Sequence, residues 1–279
     1  MEAWIETNYR GLEAWWQSLY VGRNEMLVLT IAAFTMHQVT YFLAALPYFL
    51  CDFIPSMHKY KIQRNKPNTT ENYWKCLRYL LFSQFFIQLP LEIGFHPIAR
   101  FFGMGITEPF PPITKMLSQV AFCLVFEDFY HYVFHSLLHY GPFYKNIHKI
   151  HHEFQAPFAI VGEYAHPLET LILGLGTIGG PLLLVVATGD LHIISVFAWI
   201  SVRIVQEIDA HSGYDFPWSL RRFLPFVGGA DFHDFHHMNF LGNYSSTFRW
   251  WDWIFGTDAS YNQWKAKVAA EESAAKKLE

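Results

Sequence analysis

MLSQVAFCLVFEDFYHYVFHSLLHYGPFYKNIHKIHH, residues 116–152, begins as an uncharged apolar run and ends among six histidines. On an α-helix, residues i and i+4 lie one turn apart on one face. His131 and His135 therefore aim two imidazoles at one point, and Glu127 and His139 continue the same ladder. Each four-residue step drifts by about 40°. That rotates His139 well away from a site centred on His131, so a ligand role and a supporting role stay equally open for it. His148, His151 and His152 follow at i, i+3 and i+4, positions that share a helical face. A third cluster, His233-Asp-Phe-His236-His237, repeats that spacing.

Nine of the 15 histidines fall within residues 131–152 and 233–237, far more than an even spread over 279 residues would place there. Two HxxHH units and one HxxxH unit supply eight imidazoles. One tetrahedral zinc takes four ligands, so eight suit two metals with positions left open. Glu207 and His211 are again i and i+4, at the end of an apolar run, and both could reach the same site. His166, in Glu163-Tyr-Ala-His166-Pro, is open as a ligand or supporting group. Asp128 and Asp234 are candidates to orient imidazoles through their distal N–H groups. His37, His58, His96 and His192 stand alone and read as structural. The HExxH pattern of zinc proteases is absent, since His152-Glu153 is followed by Phe154, Gln155 and Ala156.

The chain around these clusters is greasy. Charged residues make up 16%, against about 25% in a soluble domain, while hydrophobic residues make up 52%. This excludes a disordered chain and argues against an ordinary soluble one. A pI near 6.4 argues against a nucleic-acid binder. Met26 to Cys51 lacks Asp, Glu, Lys and Arg over 26 residues, and a bilayer-spanning helix needs about 20. Leu77–Phe95, Met116–Phe126, Leu171–Gly189 and His192–Val202 are further apolar runs. The N-terminal MEAWIETNYRGLEAWW lacks the apolar core of a signal peptide. Cys51, Cys76 and Cys123 form no CxxC pair and read as core residues in a reducing setting.

Lys59, Lys61, Arg64, Lys66 and Lys75 face one acid, Glu71, so this segment reads as cytosolic. Alternation of spans then makes the 96–115 loop luminal and returns every histidine cluster to the cytosolic side. The expected architecture is an all-α membrane protein. Four or five transmembrane helices would carry a cytosolic helical cap holding a histidine-rich di-metal site. The expected divisions are an N-terminal segment 1–25, a single membrane-embedded domain 26–264 and a polar tail 265–279. An imidazole-rich pair of metals beside a bilayer points to O2 activation on a lipid, because an unactivated C–H bond offers acid–base catalysis no handle. The rivals are a non-catalytic membrane metal-binding protein and a zinc hydrolase.

HYVFH, HKIHH and HDFHH resemble the histidine boxes of the membrane fatty acid hydroxylase superfamily of non-haem di-iron oxygenases. YKIQRNKP, HHEFQAPF, EYAHPLETLILG, IDAHSGYDFP and FHDFHHMNFLGNYSSTFRWWDWIFGTD are similar to its C4-methylsterol oxidase branch, over roughly residues 27–264. The resemblance implies an endoplasmic-reticulum enzyme that takes the 4α-methyl group of a methylsterol to alcohol, aldehyde and carboxylate. It implies two Fe, O2, and electrons from cytochrome b5 and an NAD(P)H reductase, with a separate C4-sterol dehydrogenase/decarboxylase consuming the product. Sterol C5 desaturation and fatty acid or sphingolipid hydroxylation share the boxes and remain alternatives. The implied ligands are His131, His135, His148, His151, His152, His233, His236 and His237, with His211 as the position fitting a ligand from the last membrane helix. Relatives often carry a further histidine before the third box, where this chain has Phe232. Lys145, Lys149, Arg221 and Arg222 are candidates for the cationic face that docks cytochrome b5. Lys276 and Lys277 resemble a dilysine retrieval signal.

Overall fold

The computed structural model describes residues 2–224 and 226–276, and every long apolar run in it is helical. α1 covers Glu2–Ser18 and α2 covers Glu25–Cys51. Asn24 starts α2 by accepting the Leu27 N–H, and Thr69 starts α3 (Thr70–Ser83) by accepting the Asn72 N–H. Each side chain satisfies a donor that a first helical turn leaves free. A π turn at Gln84–Gln88 joins α3 to α4, Leu89–Phe101. Dihedrals at the junctions stay right-handed helical, so the run 77–95 is part of one rod with a widened turn. α5, Ile113–Leu138, carries the run from residue 116 without a break through His131 and His135. α6 (Gly141–Asn146), α7 (Pro167–Thr188), α8 (Ile193–Ala210), α9 (Gly229–Asn239), α10 (Trp250–Phe255) and α11 (Ala259–Lys276) follow. The chain is all-α as expected: only three isolated bridges occur among the described residues. Lys277 of the dilysine pair lies outside the described residues.

α2 and α7, with 27 and 22 residues, are long and apolar enough to cross a membrane. Their outward faces stay apolar: Ile31, Val39 and Leu43 on α2, and Leu175, Leu183 and Val186 on α7, are exposed. α5 and α8 pack against them. They carry charged groups such as Glu127, Asp128 and Arg203, which are turned inward and buried. α7 meets α5 along Gly176, Gly179 and Gly180, whose bare backbones lie against Tyr130, Phe126 and Cys123. Small residues let helix backbones approach closely where no hydrophobic drive separates protein from lipid.

The bundle has two distinct ends. At one, the Trp16 indole of α1 donates to the Ile106 carbonyl, and Gly105 pairs with Leu191 and Ile193. At the other, the basic segment lies on the histidine-bearing part. There the Ile62 N–H donates to the Gly213 carbonyl, Gln63 donates to Asp234, and Asp52 gathers Lys61, Asn68, Tyr73 and Tyr214. The loop 102–112 and the segment 59–66 therefore belong to opposite ends of the bundle. Phe232 is buried in a hydrophobic cluster with Phe235 and Tyr261 and stands in for no ligand.

Candidate metal centre

Two groups of histidines converge at the end of the bundle that carries the basic segment. His135, His139, His148, His152 and His236 place one ring nitrogen each within 4.8 Å of one another. His151, His211, His233 and His237 do the same beside them. Each segment contributes through its local shape. α5 supplies His135, and its C-cap residue is His139. The second cluster forms a 3-10 helix, His148–Glu153, rather than the α-helix its spacing suggests. His148 and His152 nonetheless place their ring nitrogens in one group and His151 in the other, although three residues per turn stacks the His148 ring over that of His151. α9 divides in the same way, His236 to the first group and His233 and His237 to the second. His211 is the C-cap of α8.

Backbone carbonyls set the rings. The Nδ1–H of His135 donates to the Tyr244 carbonyl at 2.8 Å, and that of His236 to Gly242 at 2.7 Å. His211 donates to Glu207 at 2.9 Å, His237 to Phe154 at 3.2 Å and His151 to Tyr164 at 3.3 Å. A carbonyl only accepts, so each of these rings carries its proton on Nδ1 and a lone pair on Nε2. Yet His151 Nε2 lies 3.2 Å from His211 Nε2, and His236 Nε2 lies 3.1 Å from both His139 Nε2 and His152 Nε2. The His151–His211 contact sets two lone pairs face to face, which is repulsive unless a cation lies between them. Cis ligands on one ion, at a metal–nitrogen distance of about 2.1 Å, sit about 3.0–3.4 Å apart. The His237 Nε2 is also buried without a partner. The donor set thus fits two metal ions.

Electrostatics agree. Burial, reinforced by neighbouring imidazoles, holds His148, His211, His233, His236 and His237 well below the ordinary histidine value. His151 is held at about 4 and His139 at about 2, again mainly by burial. Neutral imidazole is the form that binds metal.

Two features differ from the helical reading of residues 127–139. The drift along the ladder is real, but the cluster is centred on His135 and His139, so His131 is the residue rotated out. Its Nδ1 faces Glu127 at 3.3 Å, and it belongs to neither group. Glu127 in turn holds Arg203 at 3.0 Å and accepts from Ser246. Nor do the two aspartates orient rings. Asp128 accepts the Thr247 and Phe248 N–H groups, the Ser246 hydroxyl and the Trp250 indole. Asp234 accepts from Gln63. Asp128 still serves the site indirectly. Together with Asp252, which accepts the Tyr244 and Ser245 N–H groups, it pins the irregular stretch 244–248 that presents the Tyr244 carbonyl. His166 caps α7 by accepting the Leu168 N–H and is not in either group. Glu207 supports His211 through its carbonyl, while its carboxylate faces Arg203 at 3.5 Å.

The acid that does meet a clustered histidine is Glu169, buried on the first turn of α7, whose Oε1 lies 2.8 Å from His148 Nδ1. Sequence reasoning missed it, since no spacing links residue 169 to residue 148. Gly242 is another such residue. Its φ of +79° suits glycine, a Cβ there would collide with the Thr257 carbonyl, and its own carbonyl holds His236.

The fatty acid hydroxylase family profile matches residues 120–257, which span both groups. The chain is 48% identical to methylsterol monooxygenase erg25B of Aspergillus fumigatus, over 88% of this chain and 84% of that protein. It is 49% identical to methylsterol monooxygenase 1 of Rattus norvegicus, over 91% and 85%. With C-4 methylsterol oxidase erg25 of Schizosaccharomyces pombe it shares 44% identity, over 88% and 82%. No solved structure matches it significantly. The matched stretch covers most of the chain, and the chain belongs to the methylsterol monooxygenase family.

Proposed function

We propose that the chain is an O2-dependent monooxygenase that oxidises the 4α-methyl group of a 4-methylsterol stepwise to the carboxylate. The observation that carries this reading is the pair of imidazole groups whose bare Nε2 atoms converge at the membrane end of the cap, in a chain of this family. Two Fe bound there supply the redox chemistry with O2 that an unactivated methyl group requires. His135, His139, His148, His152 and His236 would hold one ion, and His151, His211, His233 and His237 the other. The protein's own work is to keep these rings neutral, fix their tautomers through backbone carbonyls, and hold the site beside the bilayer where the sterol resides.

Electrons come in this reading from cytochrome b5 and an NAD(P)H reductase, and a C4-sterol dehydrogenase/decarboxylase takes the product. Lys145 and Lys149 are exposed and carry no ion pair among the described residues, which favours them as the docking cations. Arg221 and Arg222 share Asp215, so less of their charge is open to a partner. The membrane is that of the endoplasmic reticulum, with the cap and the basic segment in the cytosol. The runs in α3–α4, α5 and α8 complete a bundle of four or five membrane helices with α2 and α7.

Metal analysis of the detergent-purified protein, with a 4,4-dimethylsterol turnover assay supplied with cytochrome b5 and its reductase, tests the reading. About two irons per chain and C4 oxidation are expected, and chelation should abolish turnover. Turnover without O2 or reductant would point instead to hydrolysis. For orientation, single cysteines at residues 66 and 107 in sealed microsomes should differ: only the first should react with an impermeant reagent.

A further inference from the structure

A second polar group lies inside the bundle, away from the imidazoles. Glu163 Oε1 meets His37 Nε2 at 2.8 Å, and the Gln84 side-chain amide donates to Glu163 Oε2 at 3.1 Å. His37 stands midway along α2 and Gln84 opens the π turn, a helix defect found mostly at functional sites. Glu207 lies against the same backbone: a Cβ on Gly162 would sit 2.6 Å from its Oε1. Ionisable residues at membrane depth are costly and are retained where they act.

The group has an unmet need, and the need is for donors. Gln84 is fully buried, its amide nitrogen is used on Glu163, and its Oε1 has no partner. Glu92 Oε2, on α4, is likewise buried and unpartnered. Glu163 has further lone pairs beyond the two it uses. A ligand that completes this group brings a hydrogen-bond donor and little else polar. An alcohol does so; a ketone or an ether does not.

The group also stands next to the metal centre. The carbonyl of Tyr164, the residue after Glu163, holds His151, and the carbonyl of Glu207 holds His211. Both carboxylates therefore hang from the backbone that fixes the second imidazole group. The Glu163 and Glu207 side chains keep 19% and 21% of their surface, although His37 and Arg203 beside them keep 8% and 11%. The two carboxylates are thus the more accessible members of the group.

We propose that Gln84 Oε1 and Glu163 form the site that receives the hydroxyl group of the sterol. This rests on the methylsterol reading. In such a sterol the alcohol carbon adjoins the carbon bearing the methyl group. Anchoring the hydroxyl beside the second imidazole group therefore presents the methyl to the metals. Gln84 and Glu163 are positioning residues that contact the substrate and take no part in oxidation.

The test uses the full-length, metal-loaded protein and three 4,4-dimethyl steroids that differ only at C3, as alcohol, ketone and methyl ether. Equilibrium binding and turnover are both measured. Hydrogen bonds to buried or charged acceptors discriminate strongly, so the wild type should bind the alcohol at least about tenfold more tightly than either analogue. In Gln84→Leu and Glu163→Gln that preference should shrink to about twofold or less, through a higher KM for the alcohol, with metal content unchanged. A preference that persists in both variants overturns the site. So does a wild type that binds and oxidises all three steroids equally, an outcome that leaves the monooxygenase reading standing. A wild type that oxidises none of them removes that reading and the site with it.

Discussion

His131 and His139 sit eight residues apart on one helix, and a few tens of degrees of rotation give them different neighbours. His139 Nε2 lies 3.1 Å from His236 Nε2 and 3.2 Å from His152 Nε2, whereas His131 is turned toward Glu127. His139→Ala should therefore remove a ligand. The expected result is loss of metal to about one ion per chain or less, with C4 oxidation abolished. His131→Ala should keep its metal and lose activity far less steeply. Metal content per chain, measured side by side, separates the two; equal loss in both variants would place His131 among the ligands. Supporting contacts to a ligating ring typically affect metal affinity 10–100-fold. Here most of those contacts are main-chain carbonyls, so side-chain substitutions at Tyr244 or Tyr164 should leave them in place.

At the scale of the element, the seam between α5 and α7 positions the site. α5 carries His135 and ends on His139, and α7 presents Glu169 to His148. The two helices can be this close because Gly176 has no side chain. A Cβ there would overlap the Tyr130 ring near its base. That ring cannot swing aside freely, since its hydroxyl donates to the Ile172 carbonyl of α7 at 3.0 Å. Gly176→Ala should thus destabilise the protein by about 1–3 kcal/mol, as overpacking of a close-packed interior does. Its expected signature is a lower thermal midpoint in detergent. Gly174→Ala, with nothing within 4 Å, is the control.

For the whole molecule, the buried imidazoles couple stability to pH. Burial depresses their folded-state values, to about 4 for His151 and well below the ordinary value for His148, His211, His233, His236 and His237. The unfolded chain takes up protons near pH 6.5 while the folded chain does not. Stability is then full above about pH 6.5 and falls as pH drops below it. Each histidine contributes a slope of up to about 1.4 kcal/mol per pH unit. Metal-free protein should unfold sharply between about pH 6.5 and 4, as followed by circular dichroism in detergent. Bound metal should shift that transition to lower pH, because protons must then displace it. A midpoint indifferent to pH over this range would show that the rings are not buried neutral.

Some of this protein is written locally and some is not. The apolar runs, the Asn24 and Thr69 caps and the clustering of histidines depend on neighbours a few residues apart. Sequence therefore suffices for an all-helical chain with a cluster of imidazoles able to hold metal, and for its family. Local spacing paired His135 with His131, whereas the clustered neighbour is His139, because 3.6-residue periodicity orders residues around a helix axis without saying which sector faces the partner. It also read the second box as α-helix, although that stretch folds as a 3-10 turn. Other assignments needed contacts across long separations. The division of nine imidazoles into groups of five and four, the Glu169 carboxylate behind His148 and the carbonyls of Tyr244 and Gly242 all join residues that spacing does not connect. So does the His37–Glu163–Gln84 group. Each arises where packing brings distant backbones together, and no local pattern of residues carries that information.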